Sequence, residues 1–222
     1  GWYTRGYIPH RDESGLIQAI TFRLADSLQQ SKLKEIEAEL KTGHLDDNEI
    51  KKRVEIEKWL DSGYGCCALG IPVMAGIMQE SLLRFDGIRY DLLAWCVMPN
   101  HVHVVVKMKY SLGKVVQSWK SYTGRWAMKN LNVNRLGVSK PLVPKGKRFW
   151  MRGYWDRYIR NNKHLLNVVN YVYNNPVKAG LCELPENWKW SGAPSSSLAC
   201  DAPYTPSSSL ASMTCAKRQA GA

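Results

Sequence analysis

The chain has 222 residues, enough for one domain with a substantial core, and an ordinary globular share of them, 45%, is hydrophobic. Lysine and arginine outnumber aspartate and glutamate 31 to 19, a formal charge of +12. That excess favours a polyanionic partner, nucleic acid before an anionic membrane surface, over a merely basic soluble protein. No apolar run reaches transmembrane length and no secretory leader is legible, so no membrane association is expected. Cys66, Cys67, Cys96, Cys182, Cys200 and Cys215 form no C-x-x-C pair, which excludes a zinc ribbon and argues against a disulfide framework. A reducing cytoplasm is the expected setting, and Gly1 in place of a starting Met reads as a trimmed start.

Residues 1–15 read as irregular, with Arg5, His10 and Arg11 set among Gly and Pro. Residues 19–24 are rich in β-branched and aromatic side chains and read as a strand. Residues 31–62 alternate charged and apolar residues at helical spacing on both sides of Gly43, a pattern for an inserted helical hairpin. Asp46 or Asp47 is the candidate cap of its second helix, and its charges read as a solvated face. Residues 72–85 fit an amphipathic helix with Val73, Ile77, Leu82 and Phe85 inward, and Asp86-Gly87 is a turn. Residues 90–98 and 101–108 are two strands joined through Pro99-Asn100, an antiparallel pair.

A long helix over 112–130 carries Val115, Trp119, Tyr122 and Trp126 at steps of three and four. A basic aromatic stretch follows over 145–160, and a last helix over 163–174 stops at Asn175-Pro176, because a residue before proline avoids the helical region. This order of elements predicts a ferredoxin-like α+β sandwich (βαββαβ) with an antiparallel sheet and an extra C-terminal helix. The folded domain is expected over 1–190. Residues 191–222, rich in Ser, Ala and Pro, are expected to lack a packed structure.

Side chains alternate along a strand, so His101 and His103 share one face while Val102, Val104 and Val106 point to the core. Two imidazoles so placed can share one metal ion, and with no cysteine nearby such a site stays open to a substrate oxygen. The plainer alternative is two surface histidines. Tyr171 and Asn175 lie on one face of the last helix, four residues apart. If that face meets the histidine strand, Asn175 offers an amide oxygen as third ligand and Tyr171 a nucleophile for phosphorus. A phenol with an ordinary pKa of about 10 needs help to lose its proton, for which Lys178 and Lys163 are candidate cations. A core tyrosine is again the plainer alternative, and Tyr173, two residues off, projects from another side of the helix.

Met98-Pro99-Asn100-His101-Val102-His103-Val104-Val105-Val106 resembles the histidine motif of the IS200-like Y1 transposases, and the nearest branch is that of the REP-associated tyrosine transposases. The resemblance continues through Ser118-Trp119-Lys120-Ser121-Tyr122-Thr123, Phe149-Trp150, residues 154–160 and residues 171–181. Tyr7-Ile8-Pro9-His10 and Thr21-Phe22-Arg23-Leu24 extend it to about residues 1–190, broken by the helical insertion. It implies an HUH nuclease that uses magnesium or manganese, nicks one strand of an imperfect DNA hairpin, keeps the 5′-phosphate on its tyrosine and frees a 3′-OH. The metal ligands would be His101, His103 and Asn175, and the nucleophile Tyr171. Tyr173 and Gly153 stand where that family pattern leads one to expect acidic residues. The implied setting is the bacterial cytoplasm at the nucleoid, and the protein a monomer or homodimer.

Residues 145–160 hold six basic residues and one acid, interleaved with Phe149, Trp150, Tyr154, Trp155 and Tyr158. Cations bind phosphates and exposed rings stack on unpaired bases. The candidate DNA contacts are Arg148, Arg152, Arg157, Arg160, Lys120, Arg125, Trp119 and Lys178. Arg5, His10 and Arg11 are added from the resemblance, as readers of guide bases. Two other readings stand beside this one: a non-catalytic protein that binds structured nucleic acid, and a phosphodiesterase of small substrates.

Overall fold

The computed structural model describes residues 2–5, 8–11, 13–39, 45–131, 143 and 148–193, without the side chains of 2–5, 8–11, 30, 37, 39, 45–50 and 53. Strands β1 (Trp2–Arg5) and β2 (Ile8–Arg11) pair as an antiparallel two-stranded sheet. The expectation of an irregular start is therefore corrected. Trp2, Tyr3, Thr4 and Ile8 are good strand formers, a signal that Gly6 and Pro9 obscure in the sequence.

The main sheet uses β3 (Ile17–Arg23), β4 (Tyr90–Val97), β5 (His101–Met108), β6 (Trp155–Tyr158) and the short β7 (Ser191–Gly192). They lie in the order β6-β3-β5-β4-β7, each pair antiparallel. Helices α1 (Gln30–Glu39) and α2 (Leu45–Asp61) follow β3, and α3 (Pro72–Leu83), α4 (Leu112–Asn130) and α5 (Asn162–Lys178) are the other α-helices among the described residues. Omitting the α1–α2 insertion, the chain runs β3-α3-β4-β5-α4-β6, the expected ferredoxin-like βαββαβ order, with α5 added behind. β7 lies in the stretch read as an unstructured tail. Ser191 and Gly192 pair with Cys96 and Trp95, so the sheet outlasts the change in composition. Residues 194–222 lie outside the described residues.

Strand alternation splits the apolar residues between two faces. Ile20, Phe22, Trp95, Val102, Val104 and Val106 pack with α3 and α4, where Met74, Met78, Leu82, Val115 and Trp119 are buried. Ala94, Cys96, Met98 and Val105 pack instead with Val169 and Val172 of α5. A register shift between Leu92 and Ala94 allows the adjacent Leu93 and Ala94 both to join the α5 side. A third cluster, Leu28, Ile36, Ile56 and Leu60, closes the inserted hairpin, with Trp155 of β6 packed against it.

Three local expectations are corrected by this packing. Val73 is 51% exposed, and Met74, Ala75 and Met78 form the buried face of α3 instead. Tyr122 is 43% exposed, away from the face that buries Trp119. Helix α2 begins at Leu45, so Asp46 and Asp47 fall inside its first turn rather than capping it.

A fourth correction matters for the site. Helix α5 does not stop at Asn175; it runs through Pro176 to Lys178. Proline forgoes the backbone bond it would give to residue 172 and crowds that carbonyl. Burial of Val169, Val172, Asn175 and Pro176 along one face holds the segment helical regardless. The end closes with Leu181 N–H donating to the Pro176 carbonyl at 2.8 Å, past Gly180 at φ +69°.

Candidate metal and nucleophile site

The register of β3 against β5 sets Thr21 opposite His103 and Arg23 opposite His101. Both imidazoles face the α5 side of the sheet and are buried, at 1% and 3% exposure. The Asn100 amide nitrogen donates to the Leu60 and Tyr64 carbonyls, each at 3.0 Å, which turns its oxygen toward His101. His101 Nδ1 therefore carries the proton it gives to that oxygen at 2.7 Å, and Nε2 is a bare acceptor. His103 Nδ1 lies 2.9 Å from the Thr21 hydroxyl, which leaves its Nε2 equally bare when Thr21 accepts. The two Nε2 atoms are 3.0 Å apart.

Helix α5 brings Asn175 and Tyr171 to the same place. The fully buried Asn175 amide nitrogen sits 3.5 Å from His103 Nε2, and the amide oxygen Oδ1 has no hydrogen-bond partner. The Tyr171 ring lies edge-on to His103, centroids 5.7 Å apart. Lys178 Nζ stands 5.2 Å from the Tyr171 ring centroid. Lys163, in the exposed first turn of α5, lies more than two turns away along the helix. Tyr173 is not part of this cluster; the Glu186 carboxylate is among its neighbours.

Two further residues at the site come from the inserted hairpin, where their charges suggested only a solvated face. Tyr171 Oη donates to Glu57 Oε2 at 2.9 Å. Asp61, one turn further along α2, places Oδ1 3.8 Å from His101 Nε2 and Oδ2 3.9 Å from Lys178 Nζ. The available signal was the apolar pair Ile56 and Leu60, which marks the inner face of α2 with Glu57 and Asp61 immediately beside it.

The electrostatics follow from burial. Desolvation pushes His101 well below its ordinary value and, helped by the Lys178 charge, pushes His103 down to about 3, so both are neutral. Desolvation and then the Glu57 carboxylate drive the Tyr171 phenol upward. Burial raises Asp61 to about 6, against the pull of Lys178.

These shifts give a stability prediction for the ion-free protein. The depressed imidazoles mean that below pH 6.5 the unfolded chain binds protons that the folded chain refuses. Stability then falls on acidification by up to about 1.4 kcal/mol per pH unit for each histidine. Asp61, raised from 3.8 to about 6, acts in the opposite sense, because the folded carboxyl is protonated first. Between about pH 6 and pH 5 the net loss is about that of one histidine, measurable as a falling urea midpoint in the presence of a chelator.

The donor chemistry fits a divalent cation. Two imidazole Nε2 atoms 3.0 Å apart stand beside the Asn175 amide, whose buried oxygen has no hydrogen-bond partner, and facing acceptors are satisfied by a positive charge. Among the described residues no group of three or more His, Cys, Asp or Glu is gathered as a metal cluster; the set here is mixed, imidazole and amide.

The basic residues singled out in the sequence divide between places. Arg125, Arg148 and Arg152 line a cleft of about 1140 Å³ between α4 and residues 148–154, with Phe149, Trp150 and Tyr154. That lining includes none of His101, His103, Tyr171 or Asn175. Arg157 lies on the edge strand β6 and Arg160 just beyond it, both exposed. The side chains of Arg5, His10 and Arg11 lie outside the described residues.

Lys120 also lines the cleft, but its amine donates to the Met151 and Gly153 carbonyls at 2.6 and 2.7 Å, clamping this segment. Burial lowers it to about 8. Trp119 is a correction. It is 1% exposed, packs on Phe22 and Tyr90, and gives its indole N–H to the Tyr90 hydroxyl, so it is core and offers no surface to DNA. Trp119→Ala is expected to cost about 3–5 kcal/mol in denaturant unfolding, with no separate loss of nucleic-acid affinity once the folded fraction is accounted for.

Residues 78–175 match the family model of IS200-like transposases. The match spans 98 of the 222 residues, a little under half of the chain. The matched stretch contains His101, His103, Tyr171 and Asn175, whereas Glu57 and Asp61 lie outside it. Among curated proteins the chain is similar to a REP-associated tyrosine transposase of Escherichia coli K12, 26% identical over 103 residues, 46% of this chain and 53% of that protein. It is also similar to a provisionally named REP-associated tyrosine transposase of Haemophilus influenzae, 26% identical over 109 residues, 46% of this chain and 58% of the relative. The chain thus spans a little over half the length of the curated relatives it matches. A solved structure of a REP-associated tyrosine transposase bound to a REP hairpin covers 91% of this chain and 98% of its own, at 16% identity and a TM-score of 0.44. Among the described residues no helix is long and apolar enough to cross a membrane.

Proposed function

We propose that this protein is a metal-dependent single-strand DNA transesterase of the REP-associated tyrosine transposase branch, acting on imperfect DNA hairpins. The observation that carries the reading is a phenol held beside two facing imidazole Nε2 atoms and a buried amide whose oxygen has no hydrogen-bond partner. His101 Nε2, His103 Nε2 and Asn175 Oδ1 would hold a magnesium or manganese ion. When bound, such an ion supplies positive charge next to a phosphate oxygen and makes the phosphorus more electrophilic.

The chain's own residues do the rest. Tyr171 Oη attacks phosphorus as its proton passes to Glu57 Oε2, the carboxylate already accepting its hydrogen bond. The O–P bond to Tyr171 forms and the P–O3′ bond breaks. The departing 3′ oxygen takes a proton from water, and the 5′-phosphate stays on the enzyme. Rejoining runs the same steps in reverse. Lys178, beside the ring, and the exposed Arg157 and Arg160 offer charge to the DNA backbone. The Arg125, Arg148 and Arg152 cleft, with its aromatic floor, suits a further length of strand. This chemistry belongs in the bacterial cytoplasm, on the nucleoid.

The test is incubation of the full chain with single-stranded repeat hairpins from the host genome and Mg²⁺ or Mn²⁺. A covalent protein–DNA adduct on a denaturing gel is the expected result. Salt-sensitive hairpin binding without any adduct would instead identify a non-catalytic protein of structured nucleic acid.

A further inference from the structure

We propose that Asp61, supplied by the inserted helical hairpin, is a further ligand of the metal site. The inference rests on the reading of His101, His103 and Asn175 as a divalent-cation site and adds a residue from outside the matched transposase stretch.

The case begins with hydrogen-bond accounting. Asp61 Oδ1 is buried and has no hydrogen-bond partner, which is costly for a carboxylate. The polar atom opposite it, 3.8 Å away, is His101 Nε2. That nitrogen cannot donate, because the Asn100 oxygen fixes the His101 proton on Nδ1. Lys178 does not remedy this, since its amine lies 3.9 Å from the other oxygen, Oδ2, and is about half exposed. Asn175 Oδ1 is likewise buried without a donor. The Asp61 and Asn175 oxygens thus stand without hydrogen-bond partners beside the two facing imidazole Nε2 atoms, of which His103 Nε2 has the Asn175 amide nitrogen 3.5 Å away. A cation satisfies all of them together.

The chemistry points the same way. Two imidazoles and an amide form a neutral set that suits several transition metals, whereas magnesium and manganese favour hard, charged oxygen ligands. Asp61 supplies that oxygen and the charge. Asp61 Oδ1, 3.8 Å from His101 Nε2, would stand beside the imidazoles on the same ion.

The fold also fixes where Asp61 stands. It is the last residue of α2, and Asn100 pins that helix end through its bonds to the Leu60 and Tyr64 carbonyls. One asparagine therefore orients both the first imidazole and the helix that delivers the carboxylate. Glu57 and Asp61 are one turn apart on α2, as Tyr171 and Asn175 are on α5. The upper pair, Glu57 with Tyr171, handles the proton, and the lower pair, Asp61 with Asn175, would flank the ion.

The experiment is Mn²⁺ binding to the full chain, read by calorimetry and by the electron paramagnetic resonance signal of free Mn²⁺. Asp61→Asn is expected to weaken binding by about tenfold or more, and the loss should persist at about 0.5 M salt, where a distant charge is screened. Glu55→Gln, at a half-buried position on the same helix where the carboxylate pairs with Lys58, should change affinity by less than about twofold. Circular dichroism of the ion-free Asp61→Asn protein should match the parent, because removing a carboxylate without a donor leaves the fold intact. If His103→Ala abolishes Mn²⁺ binding while Asp61→Asn retains parental affinity, the metal site stands and the role of Asp61 is overturned. A loss that vanishes in high salt also overturns it, reducing Asp61 to a distant charge. If the parent itself binds no Mn²⁺, the metal site and this inference fall together.

Discussion

Tyr171→Phe abolishes the covalent protein–DNA adduct and leaves hairpin affinity within about twofold of the parent; this is the largest effect expected of a single substitution. The variant keeps the ring edge-on to His103 and loses only the oxygen that donates to Glu57. Tyr173, two residues along the helix, is not in this cluster and has the Glu186 carboxylate among its neighbours. The assay is a denaturing gel with end-labelled hairpin DNA, followed by mass spectrometry of the DNA-linked peptide. An adduct that persists in Tyr171→Phe would show that another residue attacks.

Glu57→Gln is expected to slow adduct formation by about 10²–10⁴-fold near neutral pH, the usual cost of removing a general base. Burial and neighbouring carboxylates keep the Tyr171 phenol protonated, so attack requires an acceptor for its proton. Glutamine still accepts the phenol hydrogen bond through its amide oxygen but cannot hold the proton. Single-turnover rates in the variant should therefore rise more steeply with pH than in the parent, as solvent hydroxide takes over. Hairpin affinity should stay the same or rise slightly with the loss of a negative charge. A variant as fast as the parent, or faster, would mean that Glu57 restrains the tyrosine instead of activating it.

These two residues mark the boundary between what is legible in the chain and what is not. The pairing of imidazoles on one strand face and the one-turn step from Tyr171 to Asn175 are consequences of backbone period alone. They hold for any strand and any helix, and the elements that carry them are bounded by strong local signals. Glu57 meets Tyr171 across 114 residues of sequence, and its helix carries the alternating charge of an ordinary solvated hairpin. Local composition could not separate Glu57 and Asp61 from the other acids of α2, because only docking against α5 and the Asn100 turn desolvates them.

The same distinction explains the corrections. Proline at 176 carries a local rule against helix, and packing of Val172, Asn175 and Pro176 against the sheet overrules it. Trp119 sits in a basic sequence context that suggests DNA contact, and a stacked Phe22 ring and an edge-on Tyr90 ring claim it for the core. Lys120 is a cation by composition and a loop clamp by contact.

By itself, then, the sequence determined the βαββαβ order, the strand face shared by His101 and His103, and the basic excess that calls for a polyanion, all properties of short-range periodicity and composition. Only the tertiary structure decided that the inserted hairpin turns inward and sets Glu57 on the phenol and Asp61 beside the imidazoles. The reason is physical: a carboxylate acquires a chemical role from the groups that exclude water around it, and those groups come from β5, α5 and the Asn100 turn, far away along the chain.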